Sequence, residues 1–351
     1  PMHVMNDLMI RLGLAFPIIQ APMAGGVTTV ELVAEVAKAG GLGSIGAAYL
    51  TPEIIRINAA AIRARTNGAF AINLFVGETE RDPTDQEITD TLALLRPWAQ
   101  AYGVELPTKP ALPIALDRQI EAMLEACPAV FSFTFGLAPP AVLEACRARN
   151  ILTMGTATTL EEVVALEQSG VDAICVQGME AGGHRGTFLK PVEDSLVGLI
   201  SLLGLAVQAT RLPVIAAGGI MNGQGIRAVL DLGASAASLG TAFMVVDEAG
   251  TPPVHQHMLA EADPRPTVLT RAFSGRMARG LTNRFHETIH PHQNKLVPFP
   301  ALNDLTRKIR QAAATANDPE ALSLWAGQAY PLVRPMATAQ LMTTLVSEAR
   351  L

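Results

Sequence analysis

The sequence predicts an α/β chain whose body is a (β/α)8 TIM barrel, followed by a smaller, mainly helical C-terminal substrate domain. Three observations predict it. Eight short runs of β-branched or aliphatic residues recur between positions 17 and 243, and seven amphipathic stretches at helical spacing separate them. The runs are apolar throughout, as strands covered by helices on both sides must be. An open doubly wound sheet shares the alternation, but eight strands with seven helices between them is a barrel count, and the first turn lacks a GxGxxG fingerprint.

In chain order, the first run (17–23) ends at Met23 and leads to VELVAEVAKAG; the second (42–48) leads to TPEIIRINAAAIRARTN. The third (70–76) carries Asn73 and is followed by an insertion, 77–112, polar and proline-rich with its own helix at 88–102, before RQIEAMLEAC resumes the rhythm. An insertion after a strand lies on the catalytic rim of such a barrel, which makes this one a candidate lid. The fourth (130–135), fifth (151–156) and sixth (173–177) runs lead to AVLEACRARN, TLEEVVALEQSG and SLVGLISLLGLAVQAT; the seventh (214–217) leads to GQGIRAVLDLG, and 237–243 is the eighth. The barrel is thus assigned to 1–245, a helical substrate or lid domain to 246–320, and terminal helices that dock back on the barrel to 321–351.

Composition excludes several classes. With 49% hydrophobic and 17% charged residues the chain is not disordered, and three cysteines, an odd number with no CxxC, are not a disulfide framework. The longest uncharged apolar run, 196–207, falls short of the ~20 residues of a membrane span. A net charge of −6 without a basic cluster argues against nucleic acid. The N-terminal stretch has no basic segment ahead of an apolar core, so no secretory signal is expected and a cytoplasmic location is.

Chemistry concentrates in DAICVQGMEAGGHRGTF (172–188), where a strand ends at Gln177 and a loop with four glycines carries Glu180, His184 and Arg185 to the rim. Glycines let a backbone approach a flat ligand or an anion, and a histidine there can move protons near neutrality; the plainer alternative is a flexible surface loop with a solvated His–Arg pair. AAGGIMNGQGI (216–226) and ASLGTAF (237–243) follow the seventh strand and form the eighth. Their backbone N–H groups, with a helix N-terminus behind, make an anion hole of the kind that holds phosphates in barrels; glycine sterics alone also account for two tight turns. Asn73 lies in an apolar strand and needs a partner, either a heterocycle edge shared with Gln177 or a neighbouring strand. His255, His257, His290 and His292 sit beside prolines and read as surface-loop residues rather than metal ligands; no metal is expected. Cys175 reads as a small buried hydrophobe.

PIIQAPMAGGVTT, AINLF, VQGMEAGGHRG, LPVIAAGGI and SLGTAF, in that order, together resemble the nitronate monooxygenases, formerly called 2-nitropropane dioxygenases; LWAGQ (324–328) adds to the likeness. The resemblance implies non-covalent FMN and oxidation of alkyl nitronates, such as propionate 3-nitronate, with molecular oxygen to a carbonyl compound and nitrite. It implies Met23, Asn73, Gln177, Gly182, Gly219, Ser238, Leu239, Gly240 and Thr241 as the flavin-binding set. His184 is the implied base toward neutral nitroalkanes, and the residue that orients or balances a nitronate. Bacterial relatives place tyrosine hydroxyls in the substrate pocket; this chain has only Tyr49, Tyr102 and Tyr330, the segment around Phe299 has no phenol, and Tyr102 on the insertion is the candidate substitute. The alternatives are an FMN-dependent NAD(P)H reductase of the same superfamily, acting on enoyl-thioesters or quinones with Arg276, Arg279 and Arg284 supplying charge, and a flavin-binding module without turnover.

Overall fold

The protein, described here from a computed structural model, is defined over residues 5–77, 81–261 and 263–351; the first four residues, positions 78–80 of the insertion and position 262 lie outside the described residues. The strands, in chain order, are β1 (Ile18–Gln20), β2 (Gly43–Gly46), β3 (Phe70–Phe75), β4 (Val130–Thr134), β5 (Leu152–Ala157), β6 (Ala173–Gln177), β7 (Gly183–His184), β8 (Val214–Ala217), β9 (Ala236–Leu239), β10 (Thr267–Thr270) and β11 (Ala278–Leu281). Eight of them form one parallel sheet in the order β1-β9-β8-β6-β5-β4-β3-β2. Its two ends meet through a parallel bridge between Ile19 and Leu42, with Gln20 N donating to Leu42 O at 2.9 Å and Leu42 N to Ile18 O at 2.9 Å. The sheet therefore closes into the barrel that the eight runs predict.

Three runs are at least three residues shorter than their apolar stretch suggests; the second is a strand only over Gly43–Gly46. The first stops at Gln20, two residues before Pro22, which has no N–H for a ladder. The eighth stops at Leu239, because Gly240 (φ −101°, ψ −74°) leaves the extended region and Thr241–Phe243 forms a 3-10 turn.

One end of the barrel is plugged. The helix Asp7–Leu12, capped by the Asn6 side chain, buries Leu8 and Met9 in one cluster with Ile19, Leu42, Val130, Leu152 and Ile215 from the strands. That leaves the C-terminal ends of the strands as the open mouth.

A second apolar core sits beside this mouth. Phe273, Phe285, Leu302, Leu305 and Ile309 pack there with Leu95 and Ala99 of the insertion. The insertion helix, Asp85–Tyr102, starts at a Thr84–Glu87 capping box. It is tied to the C-terminal part by Thr91 Oγ1, which accepts from Val297 N at 3.0 Å, and by Tyr102, whose hydroxyl donates to Asp318 Oδ2 at 2.6 Å. The C-terminal part is not purely helical. The antiparallel hairpin β10–β11 takes β7 as a third strand, so the histidine-bearing loop is one edge of a small sheet. The β-branched run TVLT was the signal for it. Beyond it, the helix Thr338–Ala349 lies on the barrel helix Gly223–Asp231, where Glu348 Oε1 accepts from Gly223 N at 3.1 Å.

His255 corrects the expectation of surface-loop histidines. It lies in the helix Pro253–Leu259, is 4% exposed, and its Nε2 is 3.0 Å from the carbonyl of Trp325. A carbonyl only accepts, so Nε2 carries the proton. Burial pushes this histidine down to about 4. The folded protein therefore refuses a proton that the unfolded chain takes below pH 6.5, and stability falls as pH drops from there toward 4. The single site contributes about 2 kcal/mol of this loss by pH 5. In His255→Gln, which keeps a donor for Trp325, the drop in Tm between pH 7 and pH 5 is expected to be smaller than in the wild type. An identical drop would exclude His255 as a source.

Candidate active site

The loop after β6 is held from both sides. Gln177 Nε2 donates to His184 O at 3.0 Å, and its Oε1 accepts from Gly186 N at 2.8 Å, so the amide pins the loop backbone. Arg185 is fully buried rather than solvated; its guanidinium donates to Gly178 O at 2.7 Å and Gln177 O at 3.2 Å. Arg279 adds Nε and Nη2 to Met179 O at 3.0 and 2.8 Å. Glu180 serves structure: its carboxylate accepts from Leu199 N, the first residue of the helix Leu199–Ala209. At Gly182 a Cβ would stand 2.5 Å from the backbone of Ala326 and Gly327, so glycine is what lets the LWAGQ segment close on the loop. Gly327 N in turn donates to Thr241 Oγ1 at 3.0 Å, and these contacts bring Gly182, Thr241 and the C-terminal segment together.

His184 thus stands in a nearly rigid frame. Its ring lies 5.4 Å from Phe299, 5.7 Å from Trp325, 6.2 Å from Phe135 and 6.4 Å from Phe75, centroid to centroid. Nε2 is 2.7 Å from Ser274 Oγ, whose hydroxyl donates to Arg276 O at 3.1 Å. Assigned from this network, Nε2 is the protonated nitrogen and Nδ1 keeps its lone pair. Burial among the aromatic rings, then the positive charges of Arg276 and Arg310, push the imidazole down to about 3. A neutral ring can take a proton but cannot balance an anion, so positive charge at the mouth resides in the arginines. The Arg276 guanidinium stacks 3.8 Å over the Phe135 ring and donates through Nη2 to Thr187 O at 2.6 Å.

Sequence reasoning missed Ser274, Trp325 and Arg310, which reach the mouth from far along the chain. It also missed Gln20, fully buried, whose amide donates to Ser44 O at 3.1 Å and accepts from Ser44 N at 3.0 Å to knit β1 to β2. Tyr102 is not a pocket phenol, since its hydroxyl is bound to Asp318.

The mouth has features that fit a flavin. Asn73 Nδ2 donates to Ser132 Oγ at 2.9 Å on the neighbouring strand, which satisfies its donor, while Oδ1 meets no donor among the described residues. Also among the described residues, no acceptor meets the backbone N–H of Gly218, Gly219, Gly240 or Thr241, in adjacent turns after β8 and β9. Gly218 (φ +120°) and Gly219 (φ +70°) hold conformations that favour glycine. The helix behind them is not part of this hole: Glu348 takes Gly223 N and Asn222 takes Gly225 N. Met23 lies where the two apolar cores meet, its Sδ 3.8 Å from where a Cβ on Gly240 would be.

Known proteins resemble the chain over nearly its whole length. The family profile "Nitronate monooxygenase" matches residues 6–348. The chain belongs to the nitronate monooxygenase family. A probable nitronate monooxygenase of Staphylococcus aureus (strain Newman) is 37% identical over 348 residues, covering 98% of this chain and 97% of its own. Among solved structures, a nitroalkane oxidase from Streptomyces ansochromogenes superposes with a TM-score of 0.92 at 38% identity, covering 98% of each chain. FabK from Thermotoga maritima superposes with a TM-score of 0.76 at 25% identity, over 99% of this chain and 97% of that one. As a member of the nitronate monooxygenases, the chain is a flavin-dependent oxidoreductase on a (β/α)8 barrel. No helix among the described residues is long and apolar enough to cross a membrane.

Proposed function

We propose that the enzyme oxidises alkyl nitronates, propionate 3-nitronate among them, with molecular oxygen to a carbonyl compound and nitrite, and that its flavin is FMN. The observation that carries the proposal is a neutral imidazole in an aromatic cage beside two arginines, facing a mouth whose turns present unpartnered N–H groups. A phosphomonoester fits those N–H groups at Gly219, Gly240 and Thr241, with Ser238 and Leu239 supplying the strand end beneath them. Asn73 Oδ1 offers an acceptor for a ring N–H, Met23 packs at the seam, and Gly182 and Gln177 set the loop's height.

When bound, the flavin supplies the electron acceptor and the reaction with oxygen. The chain's own part is binding, orientation and proton handling. Toward a neutral nitroalkane, His184 Nδ1 takes the α-proton while Ser274 holds the ring from Nε2. Toward a nitronate no proton needs removal, and Arg276 and Arg310 supply the attraction. Phe75, Phe135, Phe299 and Trp325 keep water off the reacting carbon.

The reductase alternative needs a basic site for a dinucleotide. Arg279 is turned inward onto the Met179 carbonyl, Arg276 covers Phe135, and Arg284 is exposed beside Glu320 at 3.9 Å, so the three do not converge. The expected result is nitrite release from propionate 3-nitronate in air, unaffected by NADPH. Anaerobic bleaching of the flavin by NADPH, with no nitrite from any nitronate, would overturn the proposal in favour of a reductase.

A further inference from the structure

The segment RFHETIHPHQNK (284–295) carries a spacing that the reaction does not use. His286 and His290 stand four residues apart with Glu287 between them, an HExxH pattern. On a helix that spacing puts two imidazoles one above the other on one face, which is how a helix chelates a transition metal. At His290 the step that matters is therefore the one back to His286, not the one forward to His292. The structure supplies the helix. Arg284–Ile289 is capped by Asn283, whose Oδ1 accepts from His286 N at 3.0 Å, and His290 (φ −56°, ψ −38°) carries the helical course into the 3-10 turn His290–Lys295. The two rings lie 4.7 Å apart, centroid to centroid, with 34° between their planes. Two nitrogens on one metal at ~2.0–2.1 Å are roughly 3 Å apart, a demand that rings this close meet by turning about their side-chain bonds.

The protein leaves polar atoms of this face unserved. His286 Nδ1 and Gln293 Oε1 are shut off from solvent, and neither has a hydrogen-bond partner among the described residues. A buried polar atom left this way is unfavourable until something meets it. Gln293 is three residues past His290, and in a 3-10 turn side chains at that spacing eclipse, so its amide follows the two rings on one face. His290 is held from outside: its Nδ1 is 3.3 Å from Thr270 Oγ1, which already accepts from Ala272 N at 3.0 Å. With Nδ1 donating to that oxygen, Nε2 keeps its lone pair, the arrangement that orients histidines on metals. Burial lowers both imidazoles below the ordinary histidine range, so at neutral pH both rings are neutral. Arg271, the cation that bears on His290, is paired with Glu193 at 3.1 Å.

We propose that His286 and His290, with Gln293 Oε1 as a third and weaker donor, bind one divalent ion of the zinc, nickel or copper class. Imidazoles select these ions over magnesium and calcium. Among the described residues no third histidine, cysteine or carboxylate joins the pair, and Glu287 is exposed, so this is a binding site with water completing the shell, not a hydrolytic centre. The ion would tie the helix that packs Phe285 against Trp98 and Phe273 to the turn leading to Phe299. The inference does not depend on the nitronate reading.

The test titrates the untagged, flavin-loaded enzyme calorimetrically with Zn²⁺ and Ni²⁺, with Mg²⁺ as control, and follows Tm with and without each ion. One Zn²⁺ per chain is expected to bind and to raise Tm, and Mg²⁺ to do neither. His286→Ala and His290→Ala should each weaken Zn²⁺ binding at least about tenfold and abolish the rise in Tm. Thr270→Val, which keeps both rings and removes the oxygen behind His290, should weaken it about tenfold, and Gln293→Leu about threefold. Both histidines are half-buried at the surface, and should one variant fail to fold the other carries the test. The competing pair is His257 with Glu261, 3.7 Å apart. Zinc binding lost in His257→Ala and kept in the His286 and His290 variants would overturn the site, as would a wild type that binds neither Zn²⁺ nor Ni²⁺ saturably.

Discussion

His184→Asn is expected to keep its flavin and to lose about 10²–10⁴-fold in kcat/KM on neutral nitroalkanes, while losing less than about tenfold on preformed nitronates. The asymmetry follows from what the ring does. A neutral nitroalkane must surrender its α-proton, and among the described residues around the aromatic cage His184 offers a basic ring nitrogen, because Ser274 occupies Nε2 and leaves Nδ1 open. A nitronate has already lost that proton, and the arginines rather than the neutral ring attract it. Steady-state rates on nitroethane and on ethyl nitronate, alongside flavin content, decide the matter; equal losses on both would remove His184 as the base. The pH profile gives a second check. With the imidazole at about 3, its basic form persists well below neutrality, so kcat/KM of the wild type on a neutral nitroalkane should stay level between pH 8 and pH 5. An acid limb near 6.5 would show a solvated histidine instead.

The barrel was legible because its strands are buried on both sides and so read as uninterrupted apolar runs. Strand ends were overrun where backbone chemistry overrides apolarity, as at Pro22 and Gly240. The hairpin β10–β11 was missed for the opposite reason: its strands are four residues each, and the chain around them is rich in helix formers. In the site, the local part was legible. His184, Gly182 and the glycine turns lie within a few residues of strand ends, where a barrel must place its chemistry. What surrounds His184 was not, since Phe299, Trp325, Ser274 and Arg310 come from segments whose positions depend on how the second core docks. Gln177 shows a different limit. A polar residue at a strand end signals a partner, but sequence does not tell a ligand from a backbone, and here both ends of its amide hold the loop.

Gly240→Val should fold normally and lose most of its flavin, with the Kd for FMN, the cofactor proposed above, raised at least about tenfold. The contrast with other glycines of the site makes the test clean. A Cβ at Gly182 would collide with the backbone at 2.5 Å and at Gly223 with Glu348 Cβ at 2.2 Å, so substitution there breaks packing whether or not a ligand binds nearby. At Gly240 the nearest atoms to a Cβ are Ala21 Cβ at 3.7 Å and Met23 Sδ at 3.8 Å, ordinary contacts, and its φ of −101° is open to any residue. The protein therefore has room for the Cβ that valine adds; a phosphate drawn to the free N–H groups of Gly240, Thr241 and Gly219 does not. Tm of the flavin-free variant should match that of the flavin-free wild type, while absorbance after dialysis against FMN should fall. Full occupancy with an unchanged Tm would move the phosphate away from these turns. A lowered Tm in the flavin-free protein would mean that Gly240 serves the packing of β9 against Met23 rather than the cofactor.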